Sequence, residues 1–156
     1  RGLLRASDRG GGAHSLRTTD RLTARTALVG IRNLDEDERK NIARFGINVY
    51  TMKDIDRRGI TSVMDEAVDV ASNGADGVHV SFDMDAVDPS TAPGVGTAVP
   101  GGLSYREAHL VMELIHDAGI MTSLEVVEGN PFLDVRNRTA RVGVELILSA
   151  MGKSIY

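Results

Sequence analysis

Residues 81–89 read Ser-Phe-Asp-Met-Asp-Ala-Val-Asp-Pro, and they end an apolar stretch that begins at Gly77. Alternate side chains of a strand point to the same side, so Asp83 and Asp85 are expected to direct two carboxylates at one spot. Neighbouring carboxylates repel each other unless a positive charge lies between them. Because oxygen ligands suit Mn²⁺ or Mg²⁺, the stretch predicts two ligands of a divalent cation. A pair of turn-forming acids that only begins a loop is the plainer alternative.

Strands and helices are predicted to alternate around this stretch, since short apolar runs are separated by charged segments with helical periodicity. Strands are predicted at 27–31, 47–52, 77–82 and 120–127, and helices at 35–45, 61–73, from 104 onward and 137–151. The alternation predicts an α/β fold with a parallel sheet flanked by helices on its faces. The Pro- and Gly-rich loop over 85–103 is long enough to indicate a functional role.

The composition excludes several classes of protein. The chain has 156 residues, a net charge of -4, no cysteine and no tryptophan. It can therefore form neither disulfides nor a thiolate metal site, which fits a reducing, cytoplasmic compartment. No apolar run approaches the roughly 20 residues that span a bilayer, and no basic cluster is interleaved with aromatics, so neither membrane nor nucleic acid is an expected partner.

The first 27 residues differ in charge from the rest of the chain. They contain six arginines against two acids, a Gly-Gly-Gly run at 10–12 and little apolar periodicity. Such a composition predicts a flexible basic lead-in over 1–27, expected to be a disordered arm or the remnant of a longer chain. Residues 28–156 are expected to form the folded domain.

Acidic residues follow three of the predicted strands. Asp35 lies just past the first, Asp83 and Asp85 end the third, and Glu128 ends the fourth. Parallel strands bring their carboxyl ends to one edge, where ligands of such sheets bind. Glu128 could receive a cation there, most naturally a guanidinium in a two-pronged hydrogen bond, or be a solvated strand-end acid. Asp35 is explained equally well as the N-cap of the helix that follows it.

The four histidines form no recognisable metal-binding pair. His79 is predicted to be a hydrogen-bonded core residue, and His109 and His116, seven apart on one helix, are predicted to be helix-surface residues. His14 lies in the glycine-rich lead-in. Signatures of nucleotide binding and of a serine nucleophile are also missing.

Several motifs occur in the order found in one family of enzymes. They are Gly-Ile-Arg-Asn-Leu-Asp at 30–35, the stretch at 81–89, Ala-Pro-Gly-Val-Gly-Thr at 92–97, Gly-Gly-Leu-Ser-Tyr-Arg-Glu-Ala-His at 101–109 and Val-Glu-Gly-Asn-Pro at 127–131. With these motifs, residues 28–153 resemble the C-terminal half of arginases, in the ureohydrolase (arginase/agmatinase) family. The spacing to Arg-Asn-Arg-Thr-Ala at 136–140 resembles bacterial arginases more than agmatinases.

The resemblance implies the three-layer α/β ureohydrolase fold, here partial, and hydrolysis of L-arginine to L-ornithine and urea with two Mn²⁺ ions. It implies that Asp83 bridges both ions and that Asp85 ligates one. Glu128 would be the catalytic residue that holds the guanidinium group. A related guanidino compound is an alternative substrate.

Further residues take roles from the same resemblance. Asp35 and Asn33 would face the α-amino end of the substrate, and Thr97 would lie where a loop approaches it. Arg106 and Glu107 match a pair that the family uses between subunits, so a homo-oligomer is expected.

The chain also departs from the family pattern. The family's first half supplies most of the metal ligands and a proton-shuttling histidine, and His14 does not match their context. Gly129 stands where the family usually has a bulkier apolar residue, and Ala98 where it usually has Pro. Two alternatives to an arginase-like enzyme follow: a non-catalytic remnant or interaction module of the fold, and an unrelated metal-dependent transferase with a D-x-D motif.

Overall fold

A computed structural model describes residues 3–7 and 23–153, with only the backbone described for 3–7. Five strands form one sheet: β1 (Leu3–Ser7), β2 (Thr26–Ile31), β3 (Asn48–Thr51), β4 (Gly77–Asp83) and β5 (Met121–Val127). The helices are α1 (Glu36–Phe45), α2 (Met52–Arg58), α3 (Ile60–Ser72), α4 (Tyr105–Ala118) and α5 (Arg138–Ala150), with a 3₁₀ turn at Met84–Ala86.

The sheet is mixed, with the strand order β3-β2-β1-β4-β5. β2 pairs in parallel with β3, and β4 pairs in parallel with β5. β1 runs antiparallel to both of its neighbours, so the sheet differs at this strand from the parallel sheet predicted. Because β2 and β4 both oppose β1, they run in the same direction, and their carboxyl ends still share one edge.

The N-terminal segment differs from the expected flexible lead-in where it is described. Leu3–Ser7 forms the central strand, and β2 begins at Thr26, inside the predicted lead-in. The rest of that prediction, including His14, falls on residues 8–22, which lie outside the described part of the chain.

The core lies between one face of the sheet and the helices. Val78, Val80 and Phe82 of β4 point into it, against side chains such as Val63 and Met64 of α3. Full burial of an aliphatic side chain of this size contributes about 1.5–3 kcal/mol, so this face dominates the stability of the sheet. Within the described chain, no helix combines the length and the apolar character needed to cross a membrane.

The opposite face of the sheet carries polar side chains. His79 Nδ1 lies 2.8 Å from Ser123 Oγ, and His79 Nε2 lies 3.5 Å from Glu125 Oε1. The predicted core position of His79 is therefore wrong: the residue is half-buried, on the face away from the main core. Helices α2 to α5 contact one another in sequence, and α2 to α4 also contact strands of the sheet, so these helices form a layer against it.

Helix ends follow their local sequence. Asp35 caps α1, with its Oδ1 accepting from Glu38 N at 2.8 Å, and Gly46 ends that helix in the left-handed region. Ser104 caps α4, the helix predicted from residue 104 onward, and forms a capping box with Glu107. Such caps contribute about 1 kcal/mol each, and they account for the accuracy of these boundaries.

The segment after β3 was predicted less well. Thr51 caps the additional helix α2 through Asp54, and α3 then begins at Ile60, after Gly59, without a side-chain cap. The helix predicted to begin at residue 61 thus begins one residue earlier. Thr51-Met-Lys-Asp54 is itself a capping-box pattern, so a local signal for α2 was present.

His109 contradicts the prediction that it lies on the helix surface. It is 8% exposed, and its Nδ1 lies 2.8 Å from Ser149 Oγ of α5. The helical period alone does not reveal this, because α5 packs over that side of α4. His116, near the end of α4, is exposed as predicted.

Candidate metal and substrate site

A cleft of about 310 Å³ lies beyond the carboxyl ends of β2, β4 and β5. The residues predicted to form a site from the sequence all line it: Asn33, Asp35, Asp83, Asp85, Thr97 and Glu128. Their positions therefore agree with the predicted gathering at one sheet edge, which does not test the role of each side chain.

Asp83 and Asp85 are brought together by a turn. Strand β4 ends at Asp83, and Asp85 lies in the 3₁₀ turn that follows, so strand alternation is not what aligns them. Asp83 is 3% exposed, and its Oδ1 accepts from Asp85 N at 2.8 Å. The turn thus folds the second carboxylate back towards the first.

The Asp85 carboxylate is poorly compensated. Its Oδ1 is buried and has no hydrogen-bond partner among the described residues. Burial raises the pKa of Asp85, and the charges of Asp83 and Glu128 raise it further, against a hydrogen bond from the Thr97 backbone. A buried oxygen without a partner costs free energy, and a bound cation would remove that cost.

Glu128 follows β5 in a strained conformation. Its φ is 62°, a region that non-glycine residues rarely adopt and that is commonly found at functional sites. The next residues are tied to the long loop, because Gly129 bridges Val95 and Asn130 N donates to Gly94 O at 2.8 Å. This connection brings Glu128 to the cleft beside the Pro- and Gly-rich segment.

The long loop is held together by Asp88. Its Oδ1 accepts from Ser90 N at 2.9 Å, and its Oδ2 accepts from Gly101 N and Gly102 N at 2.8 and 3.2 Å. Hydrogen bonds from the Ser90 side chain and backbone, and from the two glycines, lower the pKa of Asp88 to about 2. Asp88 thus joins the two ends of the loop across 14 residues, alongside the backbone hydrogen bonds of Leu103 with Ala86 and Asp88.

The residues predicted to face the substrate follow β2 or lie in the long loop. Asn33 and Asp35 follow β2, and Thr97 lies opposite on the long loop, all three at the cleft. Asp35 is both the N-cap of α1 and a cleft residue, so the two interpretations left open by the sequence are compatible. Their contact with substrate stays a prediction.

Arg32 is a cleft residue that the sequence interpretation missed. Its guanidinium donates to the carbonyl oxygens of Asp85 and Val99, both at 2.6 Å. The available signal was a cationic residue placed directly after a buried strand and before two cleft residues. Arg106 and Glu107 lie elsewhere, on the first turn of α4, where Arg106 pairs with Glu113 and Glu107 serves the capping box.

The donors present fit part of a metal site. The partnerless Asp85 Oδ1 beside the buried Asp83 suits a hard cation. The described residues nevertheless contain no group of three or more His, Cys, Asp or Glu side chains arranged to hold an ion. Asp83 and Asp85 therefore supply two ligands, and a complete site requires others.

Comparison with known proteins decides the family. The model of the Arginase family matches residues 12–152. The chain belongs to the arginase family. The match includes β2 to α5 and every residue that lines the cleft, so the resemblance drawn from the motifs is confirmed.

Individual arginases are similar in sequence and structure to most of this chain. The arginase of Bacillus subtilis (strain 168) is 55% identical over 128 residues, which are 82% of this chain and 43% of the relative. The crystal structure of arginase from Bacillus subtilis has a TM-score of 0.80 at 53% identity, covering 83% of this chain and 46% of that one. The chain thus spans less than half the length of these arginases.

Another protein with this fold is named for a different activity. Formimidoylglutamase from Bacillus subtilis subsp. subtilis str. 168 has a TM-score of 0.76 at 29% identity, covering 83% of this chain and 42% of that one. The arginase-family fold therefore does not by itself define the substrate.

Proposed function

We propose that this chain carries one part of a manganese-dependent site that hydrolyses L-arginine to L-ornithine and urea. The observation that supports the proposal most directly is the meeting of Asp83, Asp85 and Glu128 in one cleft of an arginase-family chain. The similarity to proteins named arginase favours L-arginine over a related guanidino compound.

Asp83 and Asp85 would hold the cations. Asp83 is almost fully buried and Asp85 Oδ1 is buried at the end of the interior strand β4, where opposite charge is more strongly attracted than in water. When bound, manganese supplies Lewis-acid activation of water. The turn that joins the two aspartates keeps their spacing constant, and the rigid β4 beneath it limits their movement.

Glu128 would bind the reacting end of the substrate. A planar guanidinium matches a carboxylate through two parallel hydrogen bonds, and the strained backbone at Glu128 aims its side chain at the cleft. Asp35 would attract the α-amino group at the other end, with Asn33 and Thr97 as neutral hydrogen-bonding partners. Glu128 and Asp35 would each bind one cationic end of L-arginine and so orient the substrate along the cleft.

The proposal includes a cytoplasmic homo-oligomer with Arg106 and Glu107 at the subunit interface. Arg106 is exposed and Glu107 half-buried on α4, away from the cleft residues. Because Arg106 is paired with Glu113 in the single chain, an interface there would have to extend or exchange this ion pair.

A non-catalytic interaction module of the same fold is the second candidate. It is favoured by the incomplete donor set among the described residues. Two carboxylates alone leave most coordination positions of Mn²⁺ to water, which predicts weak metal binding and no hydrolysis.

Metal titration and urea release separate the two candidates. Calorimetry with Mn²⁺ on the purified chain is expected to show binding that Asp85→Asn weakens at least tenfold, because the partnerless oxygen is lost. Glu125→Gln is the matched control, because Glu125 is an exposed acid in β5, the strand that Glu128 follows. This variant should bind Mn²⁺ with the affinity of the parent chain. Glu128→Gln should retain Mn²⁺ binding, and in a chain that is restored with the remaining part of the arginase fold it should abolish urea release from L-arginine.

Three results would contradict parts of this proposal. Unchanged Mn²⁺ affinity in Asp85→Asn would show that Asp85 is not a metal ligand. Loss of metal binding in Glu128→Gln would show that this residue is a ligand rather than the guanidinium acceptor. A parent chain that neither binds Mn²⁺ nor releases urea would favour the interaction module.

A further inference from the structure

Arg32 links two segments that are distant in the sequence. Nε and Nη2 donate to Val99 O at 3.0 and 2.6 Å, Nη2 also donates to Asp85 O at 2.6 Å, and Nη1 makes a longer contact of 3.4 Å to Ala86 O. The acceptors belong to the turn that carries Asp85 and to the loop segment Thr97–Val99. One side chain at the end of β2 therefore fastens both walls of the cleft.

The acceptors are all main-chain carbonyls, so these hydrogen bonds of Arg32 do not occupy the carboxylate oxygens of the cleft. Arg32 is attracted by the charges of Asp88, Asp85 and Asp83, yet its guanidinium donates to backbone oxygens. The Asp85 main chain is thus held while Asp85 Oδ1 stays without a partner. A direct guanidinium–carboxylate bond would have consumed the oxygen that faces a cation.

The geometry requires a guanidinium. Its planar fork carries five donors and can serve several acceptors at once, whereas a lysine ammonium is a point charge on a flexible stem. The Thr97 backbone also donates to the Asp85 carboxylate, so the two segments that Arg32 connects touch each other directly.

We infer that Arg32 is a positioning residue that fixes the Asp85 turn and the Thr97–Val99 segment relative to each other, so that the metal-facing and substrate-facing walls of the cleft keep one geometry. The inference rests on the proposed function for the roles of Asp85 and Thr97. It assigns no contact between Arg32 and substrate or metal.

Amide hydrogen exchange on the full chain tests the positioning role without metal or substrate. In Arg32→Met the amides of Asp85 and Thr97 are expected to exchange about tenfold faster or more, the effect of losing hydrogen bonds to a charged group. Arg32→Lys should behave like Arg32→Met, because it keeps the charge and loses the fork. Amides of the core helix α3 should be unchanged in both.

Arg39→Met is the matched control. Arg39 also donates to a backbone carbonyl, Leu34 O, at 3.2 and 3.0 Å, but it is exposed and serves one segment only. It should leave exchange at Asp85 and Thr97 at the parent rate. Exchange at the parent rate in Arg32→Met would overturn the inference and show that Arg32 has no positioning role. Failure of both Arg32 variants to fold would also overturn it and indicate a general structural role.

Mn²⁺ affinity, measured by calorimetry with the metal alone, supplies a second test, because electrostatics and positioning predict opposite changes in affinity. Removing a positive charge beside two carboxylates should by electrostatics alone tighten cation binding. Positioning predicts the reverse, a Kd about tenfold higher in both Arg32→Met and Arg32→Lys. Tighter binding in Arg32→Met with parent affinity in Arg32→Lys would overturn the inference. A parent chain without Mn²⁺ binding would contradict the proposed function, and hydrogen exchange would still decide the role of Arg32.

Discussion

Two glycines near the cleft differ sharply in the space around them. A Cβ at Gly102 would lie 2.6 Å from Ala86 O and 2.7 Å from Asp88 N, both main-chain atoms that cannot rotate away. A Cβ at Gly129 would meet nothing within 4 Å, and Gly129 is not among the glycines with positive φ. The first glycine is required by a close approach of backbones, and the second is not.

Alanine substitution should therefore have opposite effects at these two positions. Gly102→Ala is expected to lower the free energy of unfolding by about 1–3 kcal/mol, the range typical of overpacking. Gly129→Ala should be neutral or raise it by about 0.4–1 kcal/mol, because the unfolded chain loses freedom. Urea denaturation of both variants measures the difference, and equal effects would show that the contacts at Gly102 relax.

Helix α5 is joined to the long loop through its first turn. Thr139, which is 2% exposed, accepts with its Oγ1 from Gly94 N at 2.7 Å. Asp134 Oδ1 accepts from Thr139 N at 3.0 Å, while Asn137 makes no side-chain cap. Residues before and within the first turn therefore replace an ordinary cap and anchor the loop at the same time.

Thr139→Val keeps the shape of this contact and removes its acceptor. The buried Gly94 N–H would lose its partner, so the free energy of unfolding should fall by about 1–3 kcal/mol. Thr139→Ser retains the hydroxyl and should restore most of that stability. If valine were as well tolerated as serine in chemical denaturation, the hydrogen bond would not be contributing.

Helices α4 and α5 enclose a histidine whose protonation is unfavourable. Burial lowers the pKa of His109 below its ordinary value, and the nearby Glu145 and Glu113 oppose this shift only in part. The unfolded chain then binds protons more readily than the folded one. Stability is consequently full above the ordinary pKa of histidine and is lost as the pH falls below it.

His109→Gln should reduce this acid sensitivity. Unfolding free energies are to be compared at about pH 7.5 and about pH 5.5, a range that spans the ordinary titration of histidine. The parent chain should lose more stability between them than His109→Gln, whereas the exposed His116→Gln should match the parent. Equal acid sensitivity in all three proteins would show that His109 is not the responsible group.

For the molecule taken together, the site is built on an interior strand of the sheet whose residues are nearly all buried. β4 lies between β1 and β5, and Asp83 at its end is nearly inaccessible. Next to it, the buried Oδ1 of Asp85 has no hydrogen-bond partner among the described residues, which opposes folding. Binding of a cation to Asp83 and Asp85 should accordingly stabilise the entire fold and not the cleft alone.

Mn²⁺ should therefore raise the thermal stability of the chain. At a concentration about 100-fold above its Kd the gain is about 2.7 kcal/mol for one site, and excess chelator should reverse it. Asp85→Asn should show a much smaller shift on addition of Mn²⁺. A Tm of the parent chain that is independent of Mn²⁺ would contradict binding to the folded state.

Much of the fold follows from local chemistry and was accessible from the sequence. The Ser104 and Asp35 caps, the terminating glycines and the apolar run of β4 act over a few residues, so their patterns predict element type and boundary. The placement of Asp83, Asp85 and Glu128 at one sheet edge also follows, because strand direction is implied by alternation with helices. The antiparallel β1 has no such local signal.

Other features of the cleft and core depend on contacts between residues far apart in the chain. Arg32 and Val99 are 67 positions apart, and His109 and Ser149 are 40 apart, so neither contact can be read from periodicity. That Asp85 Oδ1 has no hydrogen-bond partner among the described residues likewise results from the packing of distant segments around it. Local sequence determines which elements form and which residues end them, whereas burial and hydrogen-bond partnership are set by packing between elements, for which a single sequence carries no local signal.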